Sequence, residues 1–183
     1  MKLAEGTFQG LEGSEVALFK KILAGVGGIG VEIGCLDGYS SSVILDASNL
    51  HLTSIDPFIP DSMEASLRGQ EARYRENVAP FAGRHALVKD YSWNARRVWE
   101  KPLDFLFIDG DHKHHAVLQD YNDWTPLLST GGILAIHDSR MSRPGGAKFH
   151  VGPSQVAAAM VYGQPDKWSI VGEAFSLTVA RKL

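Results

Sequence analysis

A chain of 183 residues with 44% hydrophobic residues, 21% charged residues and a formal net charge of −3 has the balance of one ordinary globular domain, which excludes a disordered or fibrous polypeptide. No basic excess is present to meet a phosphate backbone, so nucleic acid is not an expected partner. The single cysteine, Cys35, excludes an internal disulfide framework and a four-thiolate zinc site; with no apolar run long enough to span a membrane and no signal-peptide layout over Met1 to Gly10, residues 1–183 are expected to form a single cytoplasmic domain.

The first predicted element is a helix from Ser14 to Leu23, with Ser14 as its cap and Val16, Leu18, Phe19, Ile22 and Leu23 at helical spacing, stopped by Gly25, Gly27 and Gly28. Ile29 to Ile33 is a short apolar run closed by Gly34, and Ser40 to Ala47 reads as a helix whose N-terminus faces the loop between them. The alternation then repeats. His51 to Ile55 is strand-like and ends at Asp56-Pro57, Met63 to Val78 is a polar helix, Ala86 to Val88 is a short strand, and Trp93 to Trp99 follows it. Leu103 to Ile108 is nearly all apolar, as a central parallel strand covered on both faces must be, and it stops at Asp109-Gly110-Asp111. A helix from Ala116 to Leu128, a break at Gly131-Gly132 and a buried strand from Ile133 to Ile136 come next, the last ending at His137-Asp138. Such alternation builds a parallel, doubly wound α/β sheet. The end of the chain differs: after a helix from Pro153 to Tyr162, the strands Trp168 to Val171 and Phe175 to Ala180 are separated only by Gly172, Glu173 and Ala174. A gap that short makes a hairpin, so the sheet finishes on an antiparallel strand.

Ligands of open parallel sheets bind beyond the carboxyl ends of the strands. Those positions hold Glu32 to Ser40, Asp56, Lys89 to Ser92, Asp109 to His112 and His137 to Ser139. Crowding carboxylates and imidazoles on one edge costs stability through mutual repulsion and points to function. Two glycine-rich segments compete to be the cofactor loop. Gly25, Gly27 and Gly30 match G-x-G-x-x-G, but that fingerprint needs a strand before it and a helix after it, and here the order is reversed, which makes it a turn. Glu32-Ile33-Gly34-Cys35-Leu36-Asp37-Gly38-Tyr39-Ser40 stands in the strand-to-helix setting, where glycines allow close backbone approach and the first helical amides can meet a carboxylate.

This second segment resembles motif I of class I S-adenosylmethionine-dependent methyltransferases, E-x-G-x-x-x-G-x-S. The likeness continues through Asp56, through Phe105 to His112, and through Leu127 to Gly132 and His137-Asp138-Ser139, so that it covers roughly Ser14 to Lys182. The chain looks like a branch of small bacterial O-methyltransferases acting on sugars or natural products, similar in layout to catechol O-methyltransferase. The resemblance implies a Rossmann-like, doubly wound, seven-stranded sheet, mostly parallel with an antiparallel C-terminal hairpin strand. It implies S-adenosyl-L-methionine as cofactor, with Glu32, Gly34, Cys35, Gly38, Tyr39 and Ser40 around its methionine part and Asp56 on the ribose hydroxyls. Asp90, Tyr91 and Ser92 fall at the adenine, and Asp109 closes the same site. The catechol-type relatives also imply a divalent metal, magnesium or manganese, on Asp109, His137 and Asp138. His137 departs from their oxygen-only donor set, and an imidazole suits manganese, iron or zinc better than magnesium. A base must take the proton of the acceptor hydroxyl. His112 aligns with the catalytic lysine of the catechol enzymes, and Asp111 stands beside it; His114 and His115 continue the cluster but point in different directions from a helix start.

The loop from Arg140 to Gly152 has the length of a lid, and its Arg140, Arg143, Lys148 and His150 fit either a polar or anionic acceptor or a solvated surface loop. The expected partner is a small-molecule hydroxyl acceptor, with neither nucleic acid nor membrane. The segment before Ser14 is too short for the extra helices that build a substrate pocket, so a homodimer sharing its pocket is also expected. Two other readings compete. An NAD-dependent or nucleotide-sugar Rossmann oxidoreductase would share Asp56 and a glycine loop, and the misplaced G-x-G-x-x-G and the closing hairpin count against it. A non-catalytic, methyltransferase-like binding module is opposed by the intact run of site residues.

Overall fold

The computed structural model describes residues 2–59, 69–140 and 151–183. Among them, seven strands form one sheet: β1 Gly27–Ile33, β2 Asn49–Ile55, β3 His85–Val88, β4 Leu103–Ile108, β5 Leu128–Ile136, β6 Trp168–Ala174 and β7 Leu177–Lys182, in the order β3-β2-β1-β4-β5-β7-β6. The helices are α1 Gly13–Leu23, α2 Tyr39–Ala47, α3 Gln70–Val78, α4 Ser92–Arg97, α5 His114–Trp124 and α6 Val151–Ala157. Neighbours from β3 to β5 pair in parallel, while β7 runs antiparallel to both β5 and β6. This is the doubly wound, Rossmann-like α/β sheet with an antiparallel C-terminal hairpin. β1 has β2 on one side and β4 on the other, so the strand order reverses there and a crevice opens beyond their carboxyl ends.

Period-two alternation in β4 explains why the sheet is covered twice. Phe105 and Phe107 join Phe19 and Leu23 of α1 and Val43 and Ile44 of α2 in one core cluster. Leu106 and Ile108 point the other way, into a cluster with Val117, Tyr121 and Trp124 of α5 and Val156 of α6. Phe19 sits edge-on to Phe107 at 5.4 Å, and burial of each such ring stabilises the fold by about 2–3 kcal/mol. The strand ends are thereby fixed against two rigid layers.

Several boundaries depart from the sequence reading. Ser14 does not cap α1: Glu12 is the N-cap, in a capping box with Glu15, whose Oε2 accepts the Glu12 N–H at 2.7 Å. Gly27 and Gly30 lie within β1, so the first glycine cluster has no phosphate-binding geometry. The pair Gly131-Gly132 does not break the chain; β5 runs through it, because pairing with β4 resumes after a register shift that the left-handed Gly131 absorbs. α5 stops at Trp124, since Pro126 sits in a 3₁₀ turn over Thr125–Leu127. The last helix is described over Val151–Ala157 and widens into a π-turn at Ala158–Tyr162. The hairpin reverses at Phe175 and Ser176 rather than at Gly172 to Ala174, which belong to β6. Of the polar helix expected from Met63 to Val78, Gln70–Val78 is seen; its first part and positions 141–150 of the expected lid lie outside the described residues.

Candidate active site

The loop from β1 to α2 is shaped by backbone that only glycine tolerates easily. Gly34 has φ +82°, and a Cβ there would stand 2.2 Å from the Asp109 carbonyl oxygen. The ends of β1 and β4 therefore touch through bare backbone. Gly38, at φ +77°, caps α2 against Tyr74. Asp56, at the end of β2, fastens the loop: its Oδ2 accepts the N–H groups of Cys35 (3.0 Å) and Leu36 (3.1 Å), and its Oδ1 that of Phe58 (2.7 Å).

A cleft of about 980 Å³ opens over these strand ends, large enough for a nucleoside-sized ligand together with a second small molecule. Of the residues singled out from sequence, Gly34, Cys35, Tyr39, Ser40, Asp56, Tyr91, Ser92, Asp109, Asp111, His112, His137 and Asp138 line it. Glu32, Gly38 and Asp90 do not. Asp90 instead serves the start of α4, accepting from Tyr91 N (2.7 Å) and Asn94 Nδ2 (2.9 Å). Glu32 lies beneath the loop, fully buried, where Ser40 Oγ (2.5 Å), Ser41 Oγ (2.5 Å) and Ser54 Oγ (2.6 Å) all donate to it.

Burial, partly offset by those hydroxyls and reinforced by the charge of Asp109, pushes the Glu32 carboxyl up to about 7. An unfolded glutamate ionises near its ordinary 4.5, so the stability associated with protonated Glu32 is fully present below pH 4.5 and is lost as the pH climbs to about 7. The difference is about 3 kcal/mol. Glu32→Gln should flatten the decline in urea-unfolding free energy between those two pH values; a variant that keeps the wild-type slope would show that other groups set it.

One wall of the cleft was not legible from sequence. Phe8, Gln9, Gly10, Leu11 and Glu12 line it, so the segment before Ser14, expected to be too short for extra pocket-building helices, contributes to the wall without a helix. The segment is tied down by long-range hydrogen bonds: Ala4 N donates to Asn77 Oδ1 (2.7 Å), Phe8 N donates to Asp37 Oδ2 (2.9 Å), and Asn77 Nδ2 donates to the Asp37 carbonyl (2.8 Å). Arg73 grips the buried Asp37 carboxylate with two further bonds of 3.0 Å. Asp37 is thus committed to holding the strap and the loop together.

At the other end, β4 and β5 bring three polar groups together. His137 Nδ1 lies 3.0 Å from Asp109 Oδ1 and 3.6 Å from Asp138 Oδ2, while its Nε2 faces Ser176 Oγ at 3.2 Å and Glu15 Oε1 at 3.5 Å. Glu15, deeply buried on α1, also accepts the Ser176 N–H and hydroxyl, and sequence spacing marked it only as a helix residue. Asp138 stands in the left-handed region at φ 51°, a conformation aspartate tolerates, which turns its carboxylate back toward the cleft. His112 Nε2 approaches Asp138 Oδ2 at 3.1 Å. Burial works against the charged form of His112, but the Asp138 hydrogen bond and the charges of Asp109 and Asp138 outweigh it and hold the imidazole above its usual pKa. His137 is displaced further in the same direction: burial again opposes the charge, and Asp109, Glu15 and Asp138 overcome it. Asp111 is turned outward, accepting the Lys113 N–H at 3.0 Å and pairing with Lys113 Nζ at 3.3 Å. Of the two histidines that continue the cluster after His112, His115 borders the cleft and His114 does not.

The ligand atoms of Asp109, His137 and Asp138 all lie within 4.8 Å of one another. With Nε2 of His137 engaged by Glu15 and Ser176, Nδ1 is the nitrogen presented to the two carboxylates, and the donor set fits a divalent cation.

Residues 31–139 match the family described as a methyltransferase domain, and the chain belongs to that family. Its seven-stranded, mostly parallel sheet with an antiparallel C-terminal hairpin is the Rossmann-like fold expected of a class I methyltransferase. Among solved structures, it is similar to an O-methyltransferase from Bacillus cereus in complex with SAH (16% identity, TM-score 0.65, 96% of this chain and 84% of that one) and to cofactor-bound Rv0187 from MTB (16% identity, TM-score 0.69, 99% and 84%). The uncharacterized protein R132 of Acanthamoeba polyphaga mimivirus is 28% identical over 117 residues, covering 59% of this chain and 50% of that protein. The chain spans half or less of the length of the curated relatives it matches.

Proposed function

We propose that the protein transfers the methyl group of S-adenosyl-L-methionine to a hydroxyl of a small molecule, a sugar or a natural product. The observation that carries this reading is the placement of the glycine loop, Asp56 and the Asp109-His137-Asp138 cluster on a single cleft at the switch point of the sheet. In this reading the loop amides and Asp56 hold the methionine and ribose ends, and the acceptor enters beside His112, Asp138 and the Phe8 to Glu12 wall. Bound there, the sulfonium is itself a strong methyl donor. The chain's task is alignment and exclusion of water.

As the carbon–oxygen bond forms and the carbon–sulfur bond breaks, the hydroxyl proton passes to neutral His112, and Asp138 stabilises the resulting imidazolium. Asp111, turned to solvent, is the weaker candidate for that base. Asp109, His137 and Asp138 would hold a divalent ion, which would orient the acceptor oxygen and lower its pKa; the imidazole donor favours manganese, iron or zinc over magnesium. Because His112 must be neutral to act and its pKa is held above the ordinary imidazole range, the rate should rise with pH until that raised pKa is passed.

Calorimetry with S-adenosylhomocysteine tests the cofactor assignment, and turnover of S-adenosylmethionine against a panel of sugars and phenols, with and without chelator, tests the acceptor and the metal. Asp56→Ala should weaken S-adenosylhomocysteine about 10- to 100-fold, the worth of hydrogen bonds to a charged group. The absence of any binding heat or thermal shift with the wild-type protein would end the assignment. No described helix is long and apolar enough to cross a membrane.

A further inference from the structure

His112 is held from two directions by the chain that leaves β5. Its side chain meets Asp138, where Nε2 lies 3.1 Å from Oδ2. Its backbone lies against Gly152, in α6. A Cβ on Gly152 would stand 2.2 Å from the His112 carbonyl oxygen, 2.6 Å from the His114 nitrogen and 2.8 Å from the Lys113 carbonyl carbon. All three are backbone atoms, which cannot rotate aside as the end of a side chain can, so loop and helix come this close because position 152 is bare. The two sides of the contact differ in firmness. Gly152 and Pro153 are buried, and Val156 and Ala157 of the same helix join Val117 of α5 in the core cluster behind them. Asp111, Lys113, His114 and His115 are exposed, so under crowding it is the loop that yields.

We propose that Gly152 is a positioning residue for His112: its bare backbone is the stop on which the loop after β4 rests, and that contact keeps the imidazole within reach of Asp138 and of the acceptor hydroxyl. This rests on the reading of His112 as the base and adds the residue that sets where its backbone lies. Proton transfer needs the hydroxyl within hydrogen-bond reach of the imidazole, and a misplacement of about 1 Å costs up to about 10²-fold in rate. Gly152 touches no reacting atom in this arrangement. Its whole effect passes through His112.

The test is Gly152→Ala, read first without any acceptor. In a crystal structure of the variant, His112 Nε2 and Asp138 Oδ2 should lie more than about 3.5 Å apart, beyond hydrogen-bond reach; a separation still at 3.1 Å overturns the proposal. With the sugar or phenol that the wild-type protein methylates fastest, kcat should fall about 10- to 100-fold while KM and the affinity for S-adenosylhomocysteine stay within about threefold. Added to His112→Ala, the same substitution should cost less than about twofold in kcat, because no base is left to displace. An equal loss in both backgrounds would show that Gly152 acts on the fold alone, and overturns its positioning role. Gly132→Ala is the control: its Cβ would lie 2.8 Å from the Ser129 carbonyl oxygen, away from the cleft lining, so stability should fall and kcat hold. If Gly152→Ala does not fold, Gly152→Ala with Pro153→Ala, which relieves the crowding that proline imposes on the residue before it, gives the same readouts. Wild-type kcat in His112→Ala, or a wild-type protein that binds no S-adenosylhomocysteine, overturns the base reading and the role of Gly152 with it.

Discussion

Gly34→Ala should lower the thermal midpoint by about 5–15 °C and remove measurable binding of S-adenosylhomocysteine. Two costs combine. An alanine held at φ +82° pays roughly 1–2 kcal/mol for a left-handed backbone, and its methyl carbon would lie 2.2 Å from the Asp109 carbonyl oxygen and 2.7 Å from Gly110 Cα. Backbone cannot rotate aside as a flexible side chain can, so β1 and β4 must part, at a further cost of roughly 1–3 kcal/mol. For a chain of this length each kcal/mol moves the midpoint by about 2–4 °C. The separation falls at the floor of the cleft, between the loop that Asp56 fastens and the loop that carries Asp109, which is why binding fails along with stability. Gly131→Ala supplies the control: its φ is +82° as well, but nothing lies within 4 Å of its Cβ position and it is remote from the cleft lining, so only the conformational cost applies and binding should persist. Scanning calorimetry of both variants with and without S-adenosylhomocysteine separates the effects. Normal binding by Gly34→Ala would mean that the close approach of the two strands does not form the cofactor floor.

What could be read from the sequence was what is encoded locally. β4 matched its expected bounds because Leu103 to Ile108 is apolar at every position but Asp104, a run that has to be covered on both faces. The glycine loop was legible through its order, strand before and helix after, which also disposed of the G-x-G-x-x-G in β1. Pairing over long distances was not legible. β5 passes through Gly131-Gly132 because β4 is beside it to receive the resumed register, and nothing within positions 128–136 records that neighbour. Glu15 looks like an ordinary acid in the first turn of a helix, yet it meets Ser176, 161 positions away, and reaches His137. Asp120 has the same character: its pairing with Ser92 depends on how α4 and α5 pack, and helical spacing alone would place it with Tyr121 and Trp124 as one more buried position. Asp90 shows the opposite error, a residue at the expected place in the chain whose carboxylate is taken up by the helix that begins beside it.

Asp138→Asn should reduce kcat by about 10²–10³-fold while leaving the affinity for S-adenosylhomocysteine within about threefold of wild type. Asparagine occupies the left-handed region as readily as aspartate, so the φ of 51° and the path of the chain after β5 survive, and what is lost is one negative charge. That charge acts on two neighbours. It lies 3.1 Å from His112 Nε2 and helps raise that imidazole's pKa, so its loss lowers the pKa and moves the rise in rate with pH toward acid. The sign follows from the base role: His112 must be neutral to accept a proton, and a lower pKa makes it neutral at lower pH. The same carboxylate faces His137 and Asp109, so manganese affinity, read by titration calorimetry without substrate, should fall about 10- to 100-fold. The lower kcat accompanies the earlier rise because the imidazolium formed during transfer has lost the carboxylate that stabilises it. A pH profile that stays in place while kcat falls would detach His112 from Asp138 and assign the loss to the cation site alone; unchanged manganese affinity with a shifted profile would assign it to the base.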